Sequence, residues 1–380
     1  MRRSKVLLLG SYGQTNLGDD LLMYNMLQLL EQRGYTKVYL NISDKSLLPP
    51  EVDARFGHMI EMFETYGASP LKLLRVLGSV GAIVYGGGTI FKDLYASTGR
   101  GKHSVVMRIA IMNILARMMR VKVYHLCIGI GSIRTRTGRF LTKLALNAAR
   151  HSYFRDEESY VYARDTLHIS AEKITHSTDG IFIGTAWGEY GKVKLPGKST
   201  GLTVGVNALS DIPDWVDRES YINEMCGFLT GLVDRGARIV FVPFQTAFNP
   251  HNDLTFIQNE LTGGLPEESY VIYDDMKLSA LHPLFTQFDL FVGMRFHSLL
   301  VSSIYSVPFL AIEYDTKCTR LIHDMQYPYS LALEKFNARD AMKQFDALQH
   351  ANHADLTRLQ HDYVHAQQNT IEETLDSFKV

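Results

Sequence analysis

Gly293-Met294-Arg295-Phe296-His297 stands between two apolar runs, residues 288–292 and 298–305. The order reads as strand, glycine turn, helix. An arginine and a histidine at such a junction sit where a helix's first N–H groups and its positive dipole end favour an anion. Cation, proton carrier and backbone donors can then converge on one point. That is equipment for phosphate or carboxylate chemistry. The same residues also suit a plainer arrangement, in which Arg295 pairs with a nearby carboxylate and His297 caps the helix.

Other expected strand ends carry similar material, and in open parallel sheets ligands gather at the carboxyl ends of strands. After residues 5–9 the chain passes Gly10, Gly13, Asn16, Gly18, Asp19 and Asp20 before a helix. The glycines permit close backbone approach, while Asn16 and Asp19 or Asp20 can bind a hydroxyl or cap the helix. The spacing matches neither a dinucleotide fingerprint nor a P-loop. Gly86, Gly87 and Gly88 follow an apolar strand directly. Three flexible residues there imply that a ligand or a neighbouring element approaches the backbone. Asp93 follows, to orient the loop or meet a ligand hydroxyl. Gly129 and Gly131 repeat the theme, and Arg155 ends another strand as a second anion candidate. The acids after Arg155 suit a helix start and need no further role. Asp179 is expected as a turn or cap residue; His251 and Asp253 could take part in acid/base work, but Asp253 is equally a natural cap for the helix over 254–261, and the plainer role is preferred for both. Lys317, after the last strand, can bind phosphate or be solvated.

For these loops to lie at one end of a sheet, strands and helices must alternate, and they do. Strands are expected over residues 5–9, 37–41, 82–85, 121–127, 151–154 and 173–176, with helices over 21–33, 105–119 and 138–149. A second series starts with strand 202–207 and helix 219–234. It continues through strand 238–243, helix 254–261 and strands 270–273, 290–293 and 308–312. Between them, residues 187–201 are dense in glycine and lysine without periodicity, which marks a linker. The reading is an α/β chain with a domain over 1–190, a second over 200–335 and a polar helical tail over 336–380.

A chain of 380 residues with 46% hydrophobic and 21% charged side chains can bury two ordinary cores. With 39 basic and 40 acidic side chains the net charge is -1, so no global field draws nucleic acid or anionic lipid. Cys127, Cys226 and Cys318 lie in or beside apolar segments and share no metal spacing, which points to buried thiols in a reducing compartment. The basic start and short apolar run of residues 1–9 are read as a first strand, not a secretory leader. No apolar run approaches bilayer length, so a cytoplasmic protein with at most peripheral membrane contact is expected. Nor does any His, Cys or carboxylate cluster call for a metal.

The loops taken together resemble the polysaccharide pyruvyl transferase family. The resemblance rests on Gly10 to Asp20, Gly86-Gly87-Gly88, Gly129-Ile130-Gly131, Arg155-Asp156 with Ser159, Gly293 to His297, and Tyr314-Asp315 with Lys317. These follow the family's order from about residue 6 to about residue 320. The element ending in Arg295 and His297 is the most specific, and Phe296 stands where the family often has leucine. The resemblance implies two Rossmann-like doubly wound domains facing a cleft, similar to GT-B glycosyltransferases. It also implies transfer of a pyruvyl group from phosphoenolpyruvate to two hydroxyls of a saccharide, giving a pyruvate ketal during cell-surface polysaccharide synthesis. Phosphoenolpyruvate would be a substrate, with no further cofactor.

On that reading His297 and Arg295 are catalytic. Arg155, Arg295, Phe296, Lys317, Gly129 and Gly131 bind the donor, while Gly13, Asn16, Gly18, Asp19, Gly86, Gly87, Gly88 and Asp93 line the acceptor side. His297 serves as acid or base, and the residues do not separate the two roles. The acceptor sugar is lipid-linked or nucleotide-linked and would be gripped by residues 95–103 and 187–198. Two other readings share these features: a GT-B type glycosyltransferase using a nucleotide sugar, and a non-catalytic sugar or anion binder.

Overall fold

The computed structural model describes residues 4–65, 69–94, 101–187, 192–195, 201–247, 251–275 and 277–378. The chain forms two compact units. One comprises residues 1–13, 19–185 and 367–380; the other comprises 14–18 and 186–366. The helix Ala338–Gln349 therefore belongs to the second unit, and only the end of the long helix His353–Ser377 joins the first. There Ser177 and Thr374 share a 2.7 Å hydroxyl hydrogen bond, and the Thr178 hydroxyl donates to Gln367.

The first sheet contains β1 (Lys5–Leu9), β2 (Lys37–Leu40), β3 (Ile60–Met62), β4 (Ala82–Gly86), β5 (Thr89–Phe91), β6 (Lys122–Ile130), β7 (His151–Phe154) and β8 (Ile174–His176). Their order is β3-β2-β1-β4-β6-β7-β8, all parallel, with β5 paired to β6. The second sheet contains β9 (Thr203–Asn207), β10 (Arg238–Phe241), β11 (Tyr270–Ile272), β12 (Leu290–Gly293), β13 (Phe309–Glu313) and β14 (Ser330–Ala332). It runs β11-β10-β9-β12-β13-β14, again all parallel. This is the doubly wound order, in which the winding reverses between the first strand and the fourth. Hence the carboxyl ends of β1 and β4, and of β9 and β12, are where each sheet opens a crevice.

Central strands such as β4 and β12 are buried along their whole length, because helices cover both faces of a parallel sheet. That is why they read as unbroken apolar runs. By contrast β3, β5 and β14 were not expected. Each has three residues, as the expected β8 and β11 also do, and β3 and β14 are partly exposed edge strands. The three cysteines are free; Cys127 and Cys318 are buried, but Cys226 is only partly so.

Candidate active site

In the second unit the turn expected from sequence is present. β12 ends at Gly293, Arg295 is the N-cap in extended conformation, and the helix Phe296–Ile304 begins without a side-chain cap. His297 is thus in the first turn rather than capping it. The backbone N–H of Arg295 donates to Asn207 Oδ1 at 2.9 Å, and Asn207 Nδ2 donates to the Val242 carbonyl at 3.0 Å. One asparagine at the end of β9 therefore ties together the chain ends of three neighbouring strands.

The Arg295 side chain is fixed from one edge. Nε donates to Asp253 Oδ2 at 2.5 Å, Nη2 to Asp253 Oδ1 at 2.6 Å, and Nη2 also to Gln245 Oε1 at 3.0 Å. Two parallel N–H···O bonds make this the strong, orientation-fixing kind of ion pair. Asp253 is fully buried and also accepts from the Ser210 hydroxyl and from the backbone N–H groups of Ser210, Phe244 and Gln245. Burial opposes the arginine's charge, yet Asp253 outweighs it and holds the guanidinium above its ordinary pKa. Among the described residues nothing hydrogen-bonds to Nη1.

A piece of the early loop completes this cluster. Leu17 N–H donates to the Phe244 carbonyl at 2.9 Å, Asn16 bridges to Gln245 in antiparallel fashion, and Thr246 and Ala247 N–H donate to Thr15. Asn16 Oδ1 accepts from Gly18 N–H at 3.0 Å, so its side chain serves as a cap. A Cβ on Gly18 would lie 2.1 Å from Nδ1 of His297 and 2.6 Å from its Cγ. Glycine is required there because the imidazole occupies the space a side chain would take. The Phe296 ring meets that imidazole edge-on, centroids 5.4 Å apart.

Beyond β13, Lys317 lies 5.3 Å over the Tyr314 ring and 3.5 Å from Asp315, which caps the helix Thr316–Met325. Burial works against the lysine's charge, but Tyr314 and Asp315 raise its pKa overall. Tyr314 is raised in turn by burial, while Lys317 and Arg295 both act to lower it, so its phenol stands in the field of both cations.

The first unit treats its arginine differently. Arg155 Nη1 donates to Asp179 at 2.9 Å, Nη2 donates to the Thr89 hydroxyl at 2.9 Å, and Nε is 3.8 Å from Asp156. Two nitrogens donate hydrogen bonds and the third faces a carboxylate, and the side chain is 8% exposed against 14% for Arg295. Arg155, expected to bind the donor, is a buried side chain paired with Asp179. At Gly129 a Cβ would crowd Arg155 and Thr89, and at Gly131 it would crowd Thr89 and Lys92, so neighbouring side chains already stand against both glycines.

Gly86 and Gly87 are likewise covered, by Tyr12 with Met26 and by Leu22, and the Tyr12 hydroxyl donates to the Gly86 carbonyl at 2.6 Å. Gly87 and Gly88 have φ of 74° and 77°, which only glycine adopts without strain. Over Gly88 a Cβ would find only Asp19 Oδ1, 4.0 Å away. At Gly13, where φ is 71°, Ile42 fills the space. Asp93 orients its loop, accepting from Arg134 N–H, Thr135 N–H and the Thr135 hydroxyl, each at 3.0 Å. Asp20 is pushed up to about 8 by burial, then by Asp19 and Glu51. Of the expected acceptor gripping segments, residues 95–100, 188–191 and 196–198 lie outside the described residues.

The polysaccharide pyruvyl transferase family model matches residues 16–316, a span holding Asn16, Gly18, Asp253, Arg295 and His297. The chain belongs to that family. No curated protein matches the sequence. Among solved structures, UDP-GlcNAc 2-epimerase from Neisseria meningitidis bound to UDP-GlcNAc is similar at TM-score 0.61 and 12% identity, over 98% of this chain and 100% of the other. A glycosyltransferase from Rickettsia africae gives 0.60 and 11%, over 97% and 94%. UDP-GlcNAc 2-epimerase from Methanocaldococcus jannaschii gives 0.57 and 12%, over 92% and 93%. At such identity the likeness is one of fold: two Rossmann-like domains of the kind GT-B glycosyltransferases have.

Within the family match, what the sequence does not foretell is that Asp253 and Gln245 hold Arg295. Asp253 was expected as a helix cap, but Asn252 is the cap and Asp253 follows it as the partner of Arg295. Its signal in the sequence is a carboxylate at a helix start where Asn252 is already available to cap.

Proposed function

We propose that the protein transfers the pyruvyl group of phosphoenolpyruvate to two hydroxyls of a saccharide, releasing phosphate and leaving a cyclic ketal. Family membership supports the transferase reading. The observation that carries the donor is the Arg295 guanidinium, held from one edge by Asp253 and Gln245, with His297 beside it at a helix start. Such a guanidinium can present its remaining edge to a carboxylate or phosphate without first having to be ordered. Lys317 adds a second cation, suited to departing phosphate.

In the net reaction the donor's methylene carbon gains one acceptor proton and two C–O bonds form at its C2. The C–O bond to phosphate breaks, and the second acceptor proton leaves on phosphate. His297 is the group suited to carry these protons. The acceptor is a saccharide carried on a lipid or a nucleotide.

The test is mass spectrometry of the full chain with phosphoenolpyruvate and a panel of lipid-linked and nucleotide-linked saccharides. A product heavier by one pyruvylidene unit is expected, with the rate reduced about a hundredfold or more in His297→Gln. Calorimetry separates the rival chemistry: affinity for nucleoside diphosphate sugars with none for phosphoenolpyruvate would replace this reading with a glycosyltransferase.

A further inference from the structure

Between Asp93 and Asp156 the sequence has twelve arginines and lysines and no aspartate or glutamate, although the whole chain is balanced at 39 and 40. Overall neutrality hides a strongly basic stretch. Its helices Ser104–Met118 and Arg136–Ala148 bury Val106, Ile109, Ala145 and Leu146 in one core with Leu7, Ile83 and Val123 of the first sheet. A helix covering a sheet in this way normally shows solvent a polar face. These do not.

Met107, Ile111, Ile114 and Met118 succeed one another at four, three and four residues, which puts them on a single stripe. Met107 and Ile111 are exposed, Met118 is 76% exposed, and Phe140 on the neighbouring helix is 63% exposed. Ile114, Met118, Leu144 and Ala148 line a surface groove of ≈ 480 Å³ together with Arg117 and Asn147. Arg117, Arg120, Arg136 and Arg139 are exposed. Among the described residues none of these four has a carboxylate partner.

We propose that this face docks on a membrane surface bearing anionic headgroups. The charge argues against a second copy of the chain, because apposing two such faces would set arginine against arginine. The apolar stripe argues against nucleic acid, whose phosphates would use the arginines and leave methionine, isoleucine and phenylalanine without a partner. A bilayer interface supplies both: anionic headgroups for the rim and acyl boundary for the stripe. No described helix is long and apolar enough to cross a membrane, so the contact is peripheral. Docking of this kind is independent of the reaction proposed above.

Vesicle flotation of the full chain is the test, comparing phosphatidylcholine alone with phosphatidylcholine containing phosphatidylglycerol. Binding to the anionic vesicles only is expected, weakened by salt. Arg136→Glu with Arg139→Glu should lower the partition coefficient at least about tenfold, given the energy of each cation near such a surface. Ile111→Ser with Phe140→Ser should lower it while the circular dichroism spectrum stays that of the parent, since both side chains are exposed. Three results would overturn the proposal: no flotation with anionic vesicles at low salt, binding to RNA that the serine substitutions leave unchanged, or a dimer by light scattering that Ile111→Ser dissociates.

Discussion

Arg155 and Arg295 invite comparison because both end a strand, both precede a helix and both pair with a buried aspartate. In the first unit the guanidinium is ringed by Asp179, Thr89 and Asp156, and a side chain on Gly129 would crowd its Nε. In the second, Asp253 and Gln245 grip one edge, and His297 follows two residues later. The difference lies in what the pairing leaves over. Arg155 meets partners on every side, whereas Arg295 is held along one edge, which on the proposed function leaves the other for the donor.

Several measurements can break or sharpen this contrast. Asp253→Ala leaves a buried arginine without its counter-charge, so a stability loss of roughly 3–5 kcal/mol is expected. Pyruvyl transfer should fall by about a hundredfold as well. Asp179→Ala should lower stability by a similar amount, about 3–5 kcal/mol, while the residual folded fraction keeps its turnover and its KM for phosphoenolpyruvate. If turnover of the folded enzyme falls equally in both, the two arginines are not distinct. Gly18→Ala tests the His297 side: the added methyl must displace the imidazole, and about a tenfold fall in kcat is expected with little change in Tm. An unchanged kcat would mean that the position of the ring is immaterial.

A further test concerns acid. His125 is fully buried in the first unit between Asn113 and Ser152, and burial pushes it down to about 3; His151, in the same unit, is also lowered by burial. The unfolded chain then binds more protons than the native one between about pH 3 and 6.5. Stability of the first unit should therefore fall on acidification through that window, by at most about 1.4 kcal/mol per pH unit for His125. Hydrogen exchange at mildly acid pH should find β6 and β7 opening earlier than at neutral pH. Unchanged protection there would show His125 protonated without penalty.

Much of this was legible along the chain. The long strands announce themselves because both faces of a parallel sheet are buried, and strand-end glycines and charges mark the loops. The short strands β3, β5 and β14 give no such signal, although the equally short β8 and β11 do, and the partner of a charged side chain gives none either. Arg295 could have been free or paired on its sequence alone, and Asp253 is 42 positions away.

Local chemistry thus determined the alternation of strands and helices, the glycine turns and the short list of charged residues beside them, because backbone propensity and burial period act over a few neighbours. Tertiary structure alone decided that Arg155 is enclosed, that Arg295 is gripped from one edge, and that the place of a side chain on Gly18 belongs to His297. Those outcomes depend on which distant groups share a small volume, and a guanidinium's role is set by which of its N–H groups that volume leaves unused.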